Sequence, residues 1–191
     1  MYARILGFAA VAACLAMPVA AAVALGDAAG GYTISPASSS IRFSIGKAGG
    51  GGFNGAFARF KGSIRIDNAD VGRSQVNLTI FPESVGTGQG RIDAFLRSDA
   101  VFDAANSSEI QFRSTSVQRT SDTSALVTGR LTARGKTFPE KFTAELDGLK
   151  GGTIKFHVTG KALRSRYGMD VGTPLYSNIV DFDMTLTGKR G

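Results

Sequence analysis

Few residues of this chain have side chains suited to catalysis or metal binding. His157 is the only histidine and Cys14 the only cysteine, so two-histidine metal sites and histidine-activated nucleophiles have little basis. His157 stands between Phe156 and Val158 in an alternating stretch, which directs its side chain towards solvent if those two face the core. We therefore expect no catalytic residue and no metal site.

Three neighbouring carboxylates are the remaining candidates for acid–base chemistry. Asp93, Asp99 and Asp103 could form a pair with shifted pKa values, but helix capping explains Asp99 or Asp103 at least as well. The tripeptide Gly135–Thr137 imitates part of a nucleotide-binding loop, yet Arg130 stands where such a loop needs glycine. The sequence therefore indicates a binding protein and not an enzyme.

Most of the chain alternates apolar and polar residues with the period of β-strands. Clear examples run from Ile41 to Ile45, from Val76 to Ile80 and from Val180 to Leu186. About eight or nine such strands follow one another through short turns, which favours an antiparallel up-and-down barrel. The alternation alone leaves three interiors open, namely a packed core, a sandwich and an apolar cavity for one ligand.

The stretch from Arg91 to Thr115 breaks this strand pattern. Ile92, Phe95 and Leu96 share one side of a helical turn by their three- and four-residue spacing, so the stretch predicts a short helix between strands. Such an insert either fills core or forms a lid or wall at the mouth of a ligand cavity, and the spacing leaves both roles open.

The beginning of the chain has the pattern of a secretory signal peptide. Arg4 gives a positive start, residues 5–15 are apolar, and small residues follow with A-x-A cleavage sites. We expect a cleaved signal peptide over residues 1–24, one domain over residues 25–191 and a periplasmic location. Cys14 ends a V-A-A-C sequence similar to a lipoprotein processing box, but the apolar run before it is short.

The chain is basic, with 22 Lys and Arg against 15 Asp and Glu. Loss of Arg4 with the signal peptide leaves 21 against 15, a net charge of +6. These cations are scattered, which is typical of a solvated surface, with transient attraction to an anionic membrane surface as the alternative. No basic stripe with interleaved aromatic residues occurs, so nucleic acid is not an expected partner.

The stretch RIDAFLRSDAVFDAANSSEIQF is similar to the signature of the YceI-like family, roughly R-D-x-H-L-R-S-x-x-F-F-D followed by a strand. Phe95 stands where that family usually has histidine. Three other segments resemble family motifs in the same order: Gly55–Gly62, Leu131–Pro139 and Arg164–Met169, the last with Arg166 in place of aspartate. The residues that match the first pattern are Arg91, Asp93, Leu96, Arg97, Ser98, Phe102, Asp103, Ile110, Phe112 and Ser114.

This resemblance implies a lipocalin-like antiparallel barrel with an apolar interior cavity that binds isoprenoid or other long-chain lipids. We accordingly expect a carrier for a lipid of the polyprenyl phosphate or quinone type, with no cofactor other than such a bound ligand. The expected cavity-lining residues are Phe43, Phe57, Phe60, Ile64, Leu78, Leu96, Phe102, Phe112, Phe142, Phe156 and Val158.

Two arginines are candidates for contact with a lipid head group. Arg91 opens the signature stretch, and Arg164 continues the inward parity of the strand that contains Phe156. A guanidinium group offers paired donors to phosphate oxygens. The alternative for each arginine is a structural ion pair, for instance with Asp93 or Asp103.

Other functions stay open at this point. The barrel could bind fatty acids or fatty amides, or act as a lipid-scavenging stress protein. A function of another class is a cavity-free structural module that docks a membrane redox partner. The chain is expected to be a monomer or a homodimer.

Overall fold

The computed structural model describes residues 23–67 and 69–191. Nearly all of the expected signal peptide, and Cys14 within it, lies outside the described residues, so that prediction stays a prediction. The strands are β1 (Gly30–Ile34), β2 (Ser40–Gly46), β3 (Gly52–Phe57), β4 (Phe60–Ile66), β5 (Gln75–Ile80), β6 (Val85–Gly86), β7 (Ile110–Arg119), β8 (Ser124–Ala133), β9 (Lys136–Lys150), β10 (Thr153–Leu163) and β11 (Ile179–Arg190), and the helix α1 is Gly90–Arg97.

These segments form one closed antiparallel barrel, which confirms the predicted fold class. β1 and β2 are two halves of one strand, as are β3 and β4, and β5 and β6; five unbroken strands, β7 to β11, complete the eight. β11 closes the ring by pairing with β1 through Tyr32 and Arg190 and with β2 through Phe43 and Phe182. A closed ring leaves no long sheet edge exposed to solvent.

Proline explains two of the three breaks in the first half of the barrel. Pro36 and Pro82 each begin a single-turn 3-10 helix, the first between β1 and β2 and the second between β5 and β6. Because proline has no amide hydrogen and a fixed φ, it disfavours continuation of the hydrogen-bonded ladder of a strand, although Pro139 is accommodated within β9. The third break, at residues 58–59, separates Phe57 from Phe60 and so accounts for their opposite parities.

The two ends of the barrel differ in what covers them. At one end, here called the base, the turn Leu25–Ala28 lies across the opening, and Leu25 and Ala28 are buried. At the other end, here called the mouth, α1 stands between β6 and β7, opposite the loop of residues 164–178 that joins β10 to β11. Among residues 23–67 and 69–191, no helix is long and apolar enough to span a bilayer.

Candidate functional site

An apolar cavity of about 330 Å³ runs through the barrel from base to mouth. Leu25 lines it at the base, and Phe95 and Val171 line it at the mouth. Phe95 is 46% exposed and Val171 44%, so the cavity reaches solvent between α1 and the loop of residues 164–178. The arrangement is a long apolar pocket with one solvent-facing end.

Aromatic rings make much of the cavity wall. Near the mouth, Phe53 contacts Tyr176 with ring centroids 5.9 Å apart, and Phe57 contacts Phe102 at 5.5 Å. Deeper in the barrel, the rings of Phe112 and Phe142 meet edge to face at 5.2 Å. Such edge-to-face pairs hold the rings in defined positions.

Three inward-facing glycines allow rings to lie against the barrel wall. A Cβ atom at Gly160 would lie 2.4 Å from the ring of Phe142, which is its register partner on β9. A Cβ at Gly55 would lie 2.4 Å from the ring of Phe43, its partner on β2. A Cβ at Gly129 would lie 2.3 Å from the ring of Phe112. Because no side chain occupies these positions, the rings stay close to the wall and leave the axis open.

The structure brings ten of the eleven expected lining residues together on one cavity wall. The eleventh, Phe60, is 5% exposed and belongs to the core, but it does not border the cavity. Contact of any of these residues with a lipid stays a prediction. The ten are Phe43, Phe57, Ile64, Leu78, Leu96, Phe102, Phe112, Phe142, Phe156 and Val158.

The helical insert contributes both of the roles that its sequence left open. Leu96 is 2% exposed and fills core, whereas Phe95, one residue earlier, stands half-exposed at the mouth. Two contacts fix α1 in this position. The Asp93 carboxylate accepts hydrogen bonds from the amide and the hydroxyl of Thr87, at 2.7 and 2.6 Å. Arg97 donates to the carbonyls of residues 83 and 85, both at 2.9 Å.

Arg164 is buried at the cavity end, as its inward parity predicts, but its partners are of a different kind from those expected. All five N–H donors of the guanidinium group are used inside the protein, and no carboxylate of the helical insert takes part. Burial lowers the pKa of Arg164, and nearby Asp170 opposes that effect. The acceptors are the carbonyl oxygens of Met169, Val171, Tyr176 and Ser177 and the hydroxyl oxygen of Thr173.

Arg91 differs from Arg164 in its burial and in its position relative to the cavity. It is exposed at the start of α1, and it does not border the cavity. Within the described residues, neither arginine has a carboxylate within 4.0 Å, so the expected ion pairs with Asp93 or Asp103 do not form. The two head-group candidates therefore do not converge on one point.

A second buried polar group lies beside the mouth. The hydroxyl of Tyr167 donates to the carboxylate of Glu140 at 2.9 Å, and Arg166 lies 3.9 Å from the same carboxylate. Burial, followed by the hydrogen bond and the charge of Glu140, raises the pKa of the Tyr167 hydroxyl. Arg166, which stands where the similar family has aspartate, thus pairs with an acid on the neighbouring strand.

Sequence reasoning missed the part played by Arg134. It stands in the two-residue turn between β8 and β9, where Arg134 and Gly135 both have positive φ, as a tight hairpin turn requires. Its guanidinium group donates to the carbonyls of Val101 and Gly168, at 2.9 and 2.8 Å. This one side chain therefore joins the segment after α1 to the loop of residues 164–178. No pattern in the sequence predicts this contact.

The polar groups of the barrel are satisfied within the protein. Among the described residues, no buried side-chain nitrogen or oxygen lacks a hydrogen-bond partner, and no group of three potential metal ligands occurs. His157 lies on the outer surface, 3.4 Å from Asp183. What the arrangement can do is enclose an apolar chain, because the cavity presents rings and aliphatic groups along its length.

Comparison with known proteins places residues 32–188 within the model of the YceI-like domain. A UPF0312 protein of Vibrio parahaemolyticus is 32% identical over 179 residues, which cover 91% of this chain and 95% of that protein. A UPF0312 protein of Photorhabdus laumondii is 35% identical over 155 residues, which cover 78% of this chain and 80% of that one.

Solved structures share the same barrel at low sequence identity. BcnA of Burkholderia cenocepacia superposes with a TM-score of 0.75 at 21% identity, and the match covers 81% of this chain and 98% of BcnA. A polyisoprenoid binding domain from Saccharophagus degradans, implicated in plant cell wall breakdown, gives 0.67 at 18% identity, with 84% and 98% covered.

Proposed function

The chain belongs to the YceI-like family, and we propose that it is an exported carrier that holds a long isoprenoid lipid in its barrel. The proposed ligand is of the polyprenyl phosphate or quinone type. The observation that carries the proposal is the continuous apolar cavity with one solvent-facing end. The Saccharophagus domain, described as polyisoprenoid binding, supports it through a shared fold.

The energetics of such a cavity favour recognition of the tail. Each buried methylene contributes about 0.8 kcal/mol, so a prenyl chain gains affinity in proportion to the length that enters. A polar ligand would gain little, because the buried polar side chains of the described residues already have partners. The proposal is therefore binding and not catalysis.

The head group is proposed to remain at the mouth. All donors of Arg164 are engaged by the loop that it anchors, so that residue has none to offer a phosphate. Arg91 is on the surface and can meet a head group only outside the cavity. We accordingly expect the binding affinity to depend more strongly on the lipid tail than on the head group.

The proposal also includes export to the periplasm through the signal peptide expected over residues 1–24. Intact mass measurement of the protein from the periplasmic fraction tests this part separately. A chain that begins between about Val23 and Gly26 and has no attached lipid is the expected result. A chain that begins at acylated Cys14, or one that remains in the cytoplasm at full length, contradicts it.

Organic extraction of the purified protein followed by mass spectrometry tests the ligand. A prenyl lipid in stoichiometric amount supports the proposal. An acyl lipid instead points to fatty-acid or fatty-amide binding, and an extract without lipid from protein that also fails to take up added polyprenyl lipid points to a structural module.

Two substitutions that change the cavity in opposite directions make this test specific. Gly160→Ala drives the ring of Phe142 away from the wall, because the new Cβ would lie 2.4 Å from that ring and 2.9 Å from a backbone oxygen. We expect it to weaken prenyl-lipid binding at least tenfold, a change of about 1.4 kcal/mol. Phe156→Ala enlarges the same cavity, and we expect it to bind longer tails.

Gly31→Ala is the matched control for the first substitution. It makes the same chemical change in a strand, but a Cβ there has nothing within 4 Å. Unchanged binding in all three variants, measured on folded protein, would place the lipid outside the barrel and overturn the proposal.

A further inference from the structure

The exposed large apolar side chains of the described residues gather at one end of the barrel. Phe95 is 46% exposed, Val171 44% and Leu175 51%. We call these three residues the mouth patch. The fourth such residue, Ile179, is 40% exposed at the same end but faces outward from the wall of β11.

The mouth patch surrounds the opening of the cavity. Phe95 comes from α1 on one side, and Val171 from the loop of residues 164–178 on the other. Leu175 is tied to the turn between β2 and β3, because its carbonyl accepts a hydrogen bond of 2.9 Å from the amide of Ala48. Contiguous apolar groups at the rim of a pocket mark an interaction surface.

Exposed cations stand around this patch. Lys47 lies in the turn beside Leu175, Arg91 is in the first turn of α1, and Lys136 lies beside Gly168. Within residues 23–67 and 69–191, none of these three cations has a carboxylate within 4.0 Å. Asp99, after α1, and Asp170, in the loop of residues 164–178, are exposed carboxylates at this end, and exposed Glu83 lies beside α1, where its carbonyl accepts a hydrogen bond from Arg97.

From this combination we propose that the mouth patch docks on the surface of a phospholipid bilayer containing anionic lipid. The apolar side chains enter the boundary between head groups and acyl chains, while the three cations meet anionic head groups. The opening of the cavity then faces the bilayer, so a lipid tail passes between the two without crossing water. This inference rests on the proposed function, because it names the partner of the same cavity.

The charges favour a bilayer over a second copy of the chain as the occupant. In a two-fold symmetric dimer the same patch is present on both sides, so cations around it would be brought towards each other. Three side chains also make a small contact compared with a stable protein interface. A fluid bilayer needs no matching shape and supplies the opposite charge.

The absence of tryptophan from the chain provides a direct test. Leu175→Trp places a single tryptophan in the mouth patch at a position that does not line the cavity. Lys150→Trp places one at the end of β9, at the base. With vesicles of phosphatidylethanolamine and phosphatidylglycerol, we expect a blue shift and quenching by brominated lipid for Leu175→Trp only.

A matched pair of charge reversals tests the cations. Lys47→Glu and Lys150→Glu change the net charge equally, but only Lys47 is at the mouth. We expect Lys47→Glu to weaken vesicle binding about fivefold or more, since a cation near an anionic surface contributes about 1 kcal/mol. Equal losses for the two reversals, or a response of both tryptophans, mean binding without orientation and overturn the inference.

Two further outcomes also overturn it, and neither affects the proposed carrier function. One is bound lipid in the extract together with no response of Leu175→Trp to vesicles. The other is blue emission of Leu175→Trp without vesicles, accompanied by a dimer in light scattering that Leu175→Ser abolishes, which assigns the patch to a second copy. Oriented vesicle binding by protein that takes up no lipid, in contrast, retains the docking surface and overturns the carrier function.

Discussion

The base and the mouth of this barrel are built by opposite means. The base is closed by side chains that the solvent hardly reaches, with Leu25 3% exposed and Ala28 fully buried. Hydrogen bonds to backbone carbonyls hold it, because the amide of Leu25 donates to the carbonyl of Asp122 at 2.8 Å and the hydroxyl of Tyr32 donates to the carbonyl of Ala28 at 2.9 Å. Among the described residues, none of the exposed large apolar side chains lies at the base.

At the mouth, apolar groups face solvent and polar groups are buried. Phe95 and Val171 are exposed, whereas Arg164 is 7% exposed and is enclosed by the loop that carries Val171. Apolar groups exposed at the rim of a pocket are typical of a surface that contacts a ligand or partner. The cavity therefore has a direction, with a closed base and a mouth that opens to solvent.

The largest expected effect concerns the polar support of the mouth. Arg164→Ala removes five donors and leaves carbonyls of the loop without partners, which we expect to cost about 3 kcal/mol or more in the free energy of unfolding. Arg164→Lys should recover only part, because an ammonium group has three donors and no planar fork. Urea unfolding measures both.

Arg91→Ala is the control for that prediction, since Arg91 is exposed and borders no cavity. We expect it to change the free energy of unfolding by less than about 0.5 kcal/mol. Stability close to that of the parent protein in Arg164→Ala would show that the loop does not depend on its buried cation.

A paired truncation compares the two ends directly. In protein that retains Leu25 after export, Leu25→Ala removes a buried side chain that seals the base, and we expect a loss of about 2 kcal/mol in the free energy of unfolding. Phe95→Ala removes a larger side chain at the mouth, yet we expect less than about 1 kcal/mol because that ring is half-exposed. Equal losses of stability in the two variants, measured by thermal or urea unfolding, would contradict the proposed difference between the ends.

The smallest expected effect is a dependence of α1 on pH. Hydrogen bonds from the hydroxyl of Thr87, then from its amide, hold the pKa of Asp93 below its usual value of 3.8. A lowered folded-state pKa means that this stabilisation is complete above pH 3.8 and is lost as the pH falls further, through the folded-state pKa. The hydrogen exchange rate of the α1 amides, relative to that of the β9 amides, should therefore rise as the pH falls through that range.

Asp93→Asn should remove this acid dependence, because the substituted side chain does not titrate. Asp99→Asn, on an exposed carboxylate after the end of α1, serves as the control and should retain it. An acid dependence that persists in Asp93→Asn would assign the loosening of α1 to another group.

The sequence predicted the interior of the barrel better than its ends. Alternation placed Phe43, Phe112 and Phe156 on one inner face, because a strand has only two faces and the apolar one turns inward. The strand breaks at Pro36 and Pro82 are visible in the sequence, because proline disfavours a continuous strand. Six of the eleven strand segments are halves of three strands, so a count of segments exceeds the eight strands of the barrel.

The ends depend on contacts that residue types do not encode. Arg164 is satisfied by carbonyl oxygens, which every residue has, so no pattern of side chains could identify its partners. Phe95 and Leu96 share one helical side, yet Phe95 is 46% exposed and Leu96 is buried, a difference that the spacing of apolar residues does not predict. Phe60 has the inward parity of Ile64 but packs away from the cavity.

The last pairing that closes the barrel has a consequence for how the molecule assembles. Tyr32 on β1 pairs with Arg190 on β11, and the amide of Thr187 donates to the hydroxyl of Ser39 at 2.8 Å. The hairpins from β7 to β11 join neighbours in sequence, whereas this seam joins the two ends of the domain, and such distant contacts form slowly. We therefore expect the cavity to be completed late in folding, when the final strand reaches the first.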